Sequence, residues 1–280
     1  MRSFETWQIR YTSTRKGNGG SMSIIKSIAI AFSMYSRIPM PTFQWEDREY
    51  RHAISFLPLI GAVVALIVAA AGLLEGLPVF VMTAILALIP LVITGGFHLD
   101  GFMDVMDAKS SFSDKEKSLE IMKDPHIGAF AVIGLLKLSL VWLGALYLVV
   151  HNWNAGRQDY GIYCYAAAFI AVRALCGLWS ILLPKAKPDG MLARETGQAD
   201  TADIMILLTQ YTFAEALWAF IDVISCIGCG VALFAFSTYY WFMCKKRFGG
   251  VTGDTAGYFV VVAEVVALVV LAVVGVVVRY

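Results

Sequence analysis

The chain has 280 residues, of which 59% are hydrophobic and only 15% charged, with a net charge of +1 and a mean hydropathy of +0.69. Soluble domains run at about 45–50% and about 25%, so one water-facing core cannot absorb this apolar surface, and the chain reads as a polytopic all-α membrane bundle. No basic stretch interleaved with aromatics is present, which leaves nucleic-acid binding without support.

Residues 1–21 are polar and end in Arg15-Lys16-Gly17-Asn18-Gly19-Gly20. They lack the apolar core of a signal peptide and read as a disordered extension, leaving residues 22–280 as a single membrane-embedded domain. Met22–Met34 is apolar but too short to cross a bilayer, so a helix lying in the interface is expected. Ile54–Leu74 is the first span, and Glu75-Gly76-Leu77-Pro78 turns the chain back into a second, Pro78–Ile93. In Lys109–Lys123, Ser113 and Glu116 have capping-box spacing for a short surface helix. Gly128–Val150 and Ile162–Leu183 are the third and fourth spans. Asp203–Lys245 holds one span or two with a turn near Asp222, and Gly257–Val278 is the last, for a total of six to seven. The five cysteines all lie in apolar runs, and Cys226-Ile-Gly-Cys229 reads as packing rather than a metal or redox motif.

Positive charges order these spans. Eight Lys/Arg precede the first span, the next turn has none, and four lie in Thr94–Ile127. The loop after the third span carries only Arg157, whereas Pro184–Asp203 carries three. The positive-inside rule puts the basic groups on the cytoplasmic side. Lys245-Lys246-Arg247 belongs there too only if Asp203–Lys245 crosses twice, which favours seven spans.

That topology gathers the polar motifs on one side. Thr94–Ala108 reads TGGFHLDGFMDVMDA. Gly95-Gly96 should end or bend the preceding helix. Asp100, Asp104 and Asp107 follow at i, i+4 and i+7 and share one helical face. Like charges on one face repel, and a divalent cation such as Mg²⁺, which takes oxygen ligands and substrate phosphates, relieves that. A solvated acidic helix start is the plainer alternative. Gly249-Gly250-Val251-Thr252-Gly253-Asp254-Thr255 is a glycine-rich turn before a helix, whose free backbone N–H groups suit a phosphate. Asp254 in that turn argues for a cation between the two. Lys137, Arg173 and Glu264 lie within spans and should face the bundle interior.

GGFHLDGFMDVMDA closely resembles the GG-x-HLDG signature of the cobalamin synthase family, adenosylcobinamide-GDP ribazoletransferases. Gly250-Val251-Thr252-Gly253-Asp254-Thr255 followed by Glu264, Ser36-Arg37-Ile38-Pro39, Asp124–Ala129, Arg173-Ala174-Leu175 and Pro188-Asp189-Gly190 are similar to further stretches of that family. Phe97, Phe102 and His126 depart from its pattern. The resemblance implies transfer from adenosylcobinamide-GDP to α-ribazole or its 5′-phosphate with release of GMP, Mg²⁺ as cofactor, and the cytoplasmic (inner) membrane of a prokaryote with the site facing the cytoplasm. It implies Asp100, Asp104 and His98 as catalytic residues and Asp100, Asp104, Asp107 and Asp254 as metal ligands. Gly95, Gly96, Arg37, Asp124, Arg173, Arg247, Gly250, Thr252, Gly253 and Thr255 are then substrate-binding. The partners are the two small molecules and the bilayer, with homo-oligomerisation left open. A transporter is the competing class, though its charges belong at mid-membrane. A CDP-alcohol phosphotransferase also uses spaced aspartates, but its D-x2-DG-x2-AR pattern is absent.

Overall fold

The computed structural model describes residues 20–41, 47–74, 76–111, 114–156 and 160–277. Twelve α-helices follow one another: α1 (Gly20–Tyr35), α2 (Asp47–Arg51), α3 (Leu57–Ala71), α4 (Val79–Thr94), α5 (Phe97–Ser110), α6 (Lys115–Ile121), α7 (Ala129–Asn154), α8 (Gly161–Leu182), α9 (Met191–Thr196), α10 (Thr201–Ile221), α11 (Val223–Arg247) and α12 (Gly253–Val277). A 3-10 turn, Ala53–Phe56, leads into α3. Among the described residues there is no strand, only an isolated parallel bridge between Lys185 and Val251.

Among the described residues six helices are long and apolar enough to cross a membrane, and the number is seven if α4 and α5, which meet at 90°, count as one span. The long apolar stretch after Asp203 divides as the charge pattern requires. Asp222 is at once the residue that ends α10 and the N-cap of α11, its carboxylate accepting from the N–H groups of Ile224 and Ser225.

Helix α8 is the axis of the bundle and is buried along nearly its whole length. Small residues let its neighbours approach: a Cβ on Gly61 of α3 would lie 2.3 Å from the Phe169 carbonyl oxygen. Close backbone approach through small residues is the expected basis of helix association in lipid. Leu66, Phe80, Leu140, Phe220, Phe234 and Val277 cover the outside.

Helix α1 packs Ile30, Ala31 and Tyr35 into the core and exposes Ile24 and Ile25, as a surface helix should. It includes Gly20 and Ser21, so the helix begins slightly before the expected boundary, and the expected disordered extension, residues 1–19, lies outside the described part. Ser113 also lies outside it. The N-cap of α6 is Asp114, whose carboxylate accepts from Lys117 N–H at 2.8 Å. A carboxylate one residue later does the work expected of the serine.

Arg173 and Glu264 face inward and pair at 2.5 Å. Lys137 does not. It is exposed on the outside of α7, about two turns from the helix start at Ala129, where a long aliphatic stem can carry its charge to the membrane margin.

Candidate active site

Gly95 (φ 63°) and Gly96 (φ 79°) occupy left-handed conformations back to back, which ordinary residues adopt only at a cost. The pair ends α4 and turns the chain through 90° into α5. Arg37 is laid across this joint. Its N–H donates to Ile93 at 2.8 Å, and a Cβ on Gly95 would meet its side chain at 2.3 Å.

Helix α5 then packs on the first turns of α12. A Cβ on Gly101 would lie 2.8 Å from the Asp254 carbonyl oxygen, and one on Gly257 would lie 2.8 Å from that of His98. These glycines let two helices touch backbone to backbone. The contact brings Asp254 beside Asp100 and Asp104, which flank Gly101 in sequence. Asp100 is exposed, and Asp104 and Asp254 are half-buried. Partial burial and then the charges of Asp100, Asp254 and Asp107 push the Asp104 carboxyl up to about 7. Burial also raises Asp100 above the usual carboxylate range. Three acids therefore crowd one another at one end of the bundle.

Asp107 is placed differently. Its Oδ2 accepts from Gly128 N–H at 2.7 Å and its Oδ1 from Ala131 N–H at 2.8 Å. Those residues are the N-cap and third residue of α7, so Asp107 caps a neighbouring helix with both oxygens. Among the described residues no three His, Cys, Asp or Glu side chains form a group able to hold a metal by themselves.

The glycine-rich turn proves to be the start of α12 itself. Thr252 N–H donates to Thr255 Oγ1 at 2.8 Å, and Thr255 N–H donates to Thr252 Oγ1 at 3.2 Å. Two of the N–H groups expected to be free for phosphate are thus used by a reciprocal threonine cap, with Gly253 and Asp254 between them. Gly250 lies against Pro184–Ala186, where a Cβ would be 2.4 Å from the Pro184 carbonyl oxygen. Val251 and Pro184–Ala186 exchange two backbone hydrogen bonds there, at 2.8 and 3.0 Å.

The remaining candidates spread around this centre. His98 is buried, stacks on Tyr35 at 6.5 Å and meets Phe97 edge-on. Burial, then the nearby Arg173 charge, lowers its imidazole to about 3, so it is neutral. Asp124 sits on an exposed turn and accepts from His126 N–H at 2.9 Å, the main cause of its lowered carboxyl. Arg247 ends α11. Arg173 lies deeper, below His98.

Three residues near the centre escaped sequence reading. Lys187 donates to the Leu119 carbonyl at 3.3 Å. Burial, then repulsion from Lys123, lowers its ammonium, while Asp254 and Asp189 act in the opposite sense. Tyr35 donates to Glu195, whose carboxyl burial raises to about 7. The Lys-Pro-Asp-Gly run was visible but gave no sign of what it folds against. Tyr35 and Glu195 are 160 residues apart, and nothing local joins them.

A family model described as "Cobalamin-5-phosphate synthase" matches residues 27–272. A Lachnoclostridium phytofermentans protein named adenosylcobinamide-GDP ribazoletransferase is 36% identical over 251 residues, 88% of this chain and 93% of its own length. Proteins of the same name from Clostridium perfringens, at 32% identity over 89% of this chain and 98% of theirs, and Brevibacillus brevis, at 29% over 86% and 95%, are also similar. No solved structure matches.

Proposed function

The chain belongs to the cobalamin-5-phosphate synthase family, and on that premise we propose that it is an adenosylcobinamide-GDP ribazoletransferase. The observation that carries the chemistry is the crowding of Asp100, Asp104 and Asp254 at the α5–α12 contact. A transporter is not favoured, because these acids collect at one end of the bundle and not at its middle.

The reaction joins a hydroxyl oxygen of α-ribazole, or of its 5′-phosphate, to the phosphorus on the cobinamide side of the diphosphate. The bond from that phosphorus to GMP breaks, and the hydroxyl proton passes to a base. Two further features support Mg²⁺. Its known preference is for one or two carboxylates plus substrate phosphates, which suits a site lacking a complete protein shell. Carboxyls raised by burial, with like charges adding to it at Asp104 and Asp254, also gain from a cation. When bound, Mg²⁺ would neutralise and orient the diphosphate. Asp100, Asp104 and Asp254 would hold it, and one of them would also take the hydroxyl proton. Asp107 anchors α7 against α5 and so fixes the acid face. Lys187 supplies positive charge beside Asp254 for a phosphate oxygen. The site faces the cytoplasm of a bacterial inner membrane, in keeping with the basic loops around it.

The test is GMP release by membranes given adenosylcobinamide-GDP and α-ribazole, with Mg²⁺ titrated against chelator. Turnover should need both substrates and the metal. Asp100→Asn, Asp104→Asn and Asp254→Asn should each lower it by orders of magnitude, with the double variants little worse than the worst single one. Near-normal rates in all three variants would return the acids to a solvated helix start.

A further inference from the structure

Below the acid face a cleft with a cavity of about 80 Å³ opens between α4, α7, α8 and α12. Its walls are apolar, with Leu91, Leu138, Trp142 and Val261 among them, and Ser139 is a half-buried polar exception on α7. Arg173 lies at the bottom, 1% exposed. Its Nη1 donates to Glu264 at 2.5 Å and to the Phe169 carbonyl at 3.1 Å. Its Nε has no partner among the described residues. A buried donor left without an acceptor keeps the full cost of its lost hydration, so this atom calls for a ligand. Glu264 already balances the guanidinium charge. The missing partner is therefore a neutral acceptor and not an anion, which would leave the pocket with a net buried charge.

We propose that this cleft is the subsite for the base of the ribazole. The inference rests on the functional reading above and adds to it where the acceptor substrate sits. A benzimidazole base is an apolar bicycle. With one ring nitrogen joined to the sugar, the other is a single neutral acceptor, the match for Arg173 Nε among aliphatic walls. A cavity of about 80 Å³ leaves room for a small planar base at most and excludes a corrin. Its upper end is lined by Gly96 and His98, and His98 precedes Asp100 by two residues. A base seated below thus leaves its ribose at the acids, where a hydroxyl has to react. His98 borders the passage between cleft and acids. In this arrangement Arg173 is a specificity residue for the base and plays no part in phosphoryl transfer.

The experiment measures α-ribazole and adenosylcobinamide-GDP separately, by equilibrium binding to the full-length protein in lipid nanodiscs and by KM. Ser139→Phe fills the cleft from α7. Arg173→Lys keeps a charge against Glu264 but removes Nε. Each should weaken α-ribazole at least tenfold, in both Kd and KM, while adenosylcobinamide-GDP stays within twofold. Retained binding of the second substrate also reports that the variant has folded, and if Arg173→Lys fails this check, Ser139→Phe decides. Unchanged α-ribazole binding in Ser139→Phe would mean that the cleft holds water or an acyl chain, and would overturn the proposal. Equal weakening of both substrates would mark a packing role and overturn it too. Selective loss of α-ribazole binding in a protein that releases no GMP would sink the catalytic reading and leave the subsite standing. Normal turnover with an unaltered α-ribazole KM in both variants would do the reverse.

Discussion

Replacing Asp104 by asparagine should stabilise the metal-free protein while abolishing its activity. The folded structure raises this carboxyl from 3.8 to about 7. At about 1.4 kcal/mol per tenfold, that is roughly 4 kcal/mol of unfavourable ionisation at full weight. Asp104 is only half-buried, and solvent screening cuts this to about 1–2 kcal/mol. The sign follows from proton counts. The folded value lies above the unfolded one, so between about pH 4 and pH 7 the folded chain holds the extra proton. Ionisation therefore removes stability as pH rises through that window. Thermal unfolding of the purified protein in EDTA, followed by tryptophan fluorescence at pH 5 and pH 7.5, measures this directly. Wild type should melt lower at pH 7.5 through this group, and the Asp104→Asn variant should be flatter and higher. Mg²⁺ should raise the wild-type midpoint and move the variant less. An Asp104→Asn variant that melts below wild type in EDTA at pH 7.5 would refute the reasoning, because the carboxylate would then be stabilising its surroundings.

Asp107→Asn should behave in the opposite way. One of two charged helix-capping hydrogen bonds is lost, at about 1.5–3 kcal/mol, so the melting point should fall while the Mg²⁺ concentration for half-maximal rate stays put. Gly250→Ala should push Val251 off Pro184–Ala186 and lose two backbone hydrogen bonds of 2.8 and 3.0 Å, about 1–3 kcal/mol in all. Protease cleavage near Lys185 should then be faster. For orientation, single cysteines at Ser110 and Lys246, in a background without native cysteines, should both be shielded from an impermeant thiol reagent in intact cells. Labelling of either from outside would place the acid face on the wrong side.

Much of the fold was legible because the bilayer leaves few options. Apolar runs of 16 to 26 residues must be helices, and basic loops fix their order. The division at Asp222 followed from the charge of Lys245-Lys246-Arg247, though nothing in the local apolar pattern marks it. The Gly95-Gly96 bend was legible for a local reason too, since two glycines ending an apolar run have a simple backbone use. Lys137 was misjudged because the rule that a charge faces inward ignores depth, and a lysine near a helix end escapes it. Ser113 was offered as a cap from spacing alone, when the next residue is itself a better acceptor.

The acid face shows where sequence reasoning stops. Asp100, Asp104 and Asp107 are equivalent by periodicity, and a helical wheel cannot tell them apart. What separates them is the partner each meets across the bundle. Asp107 meets the bare N–H groups at the start of α7, which any carboxylate satisfies. Asp104 meets Asp100 and Asp254, which none can. The same division runs through the glycine-rich turn, where Thr252 and Thr255 satisfy each other, while Asp254, with a 3.4 Å bond from Thr252 and Lys187 nearby, also faces the acids of α5. A group whose partners are complete holds the fold together. A group whose neighbours repel it, or a donor such as Arg173 Nε with nothing to donate to, is stable only with something added. Sorting the polar residues this way leaves Asp100, Asp104 and Asp254 at the surface and Arg173 beneath them, joined by His98. On the function and subsite proposed above, those two places would serve the two parts of the reaction, a diphosphate to be neutralised and a base to be recognised.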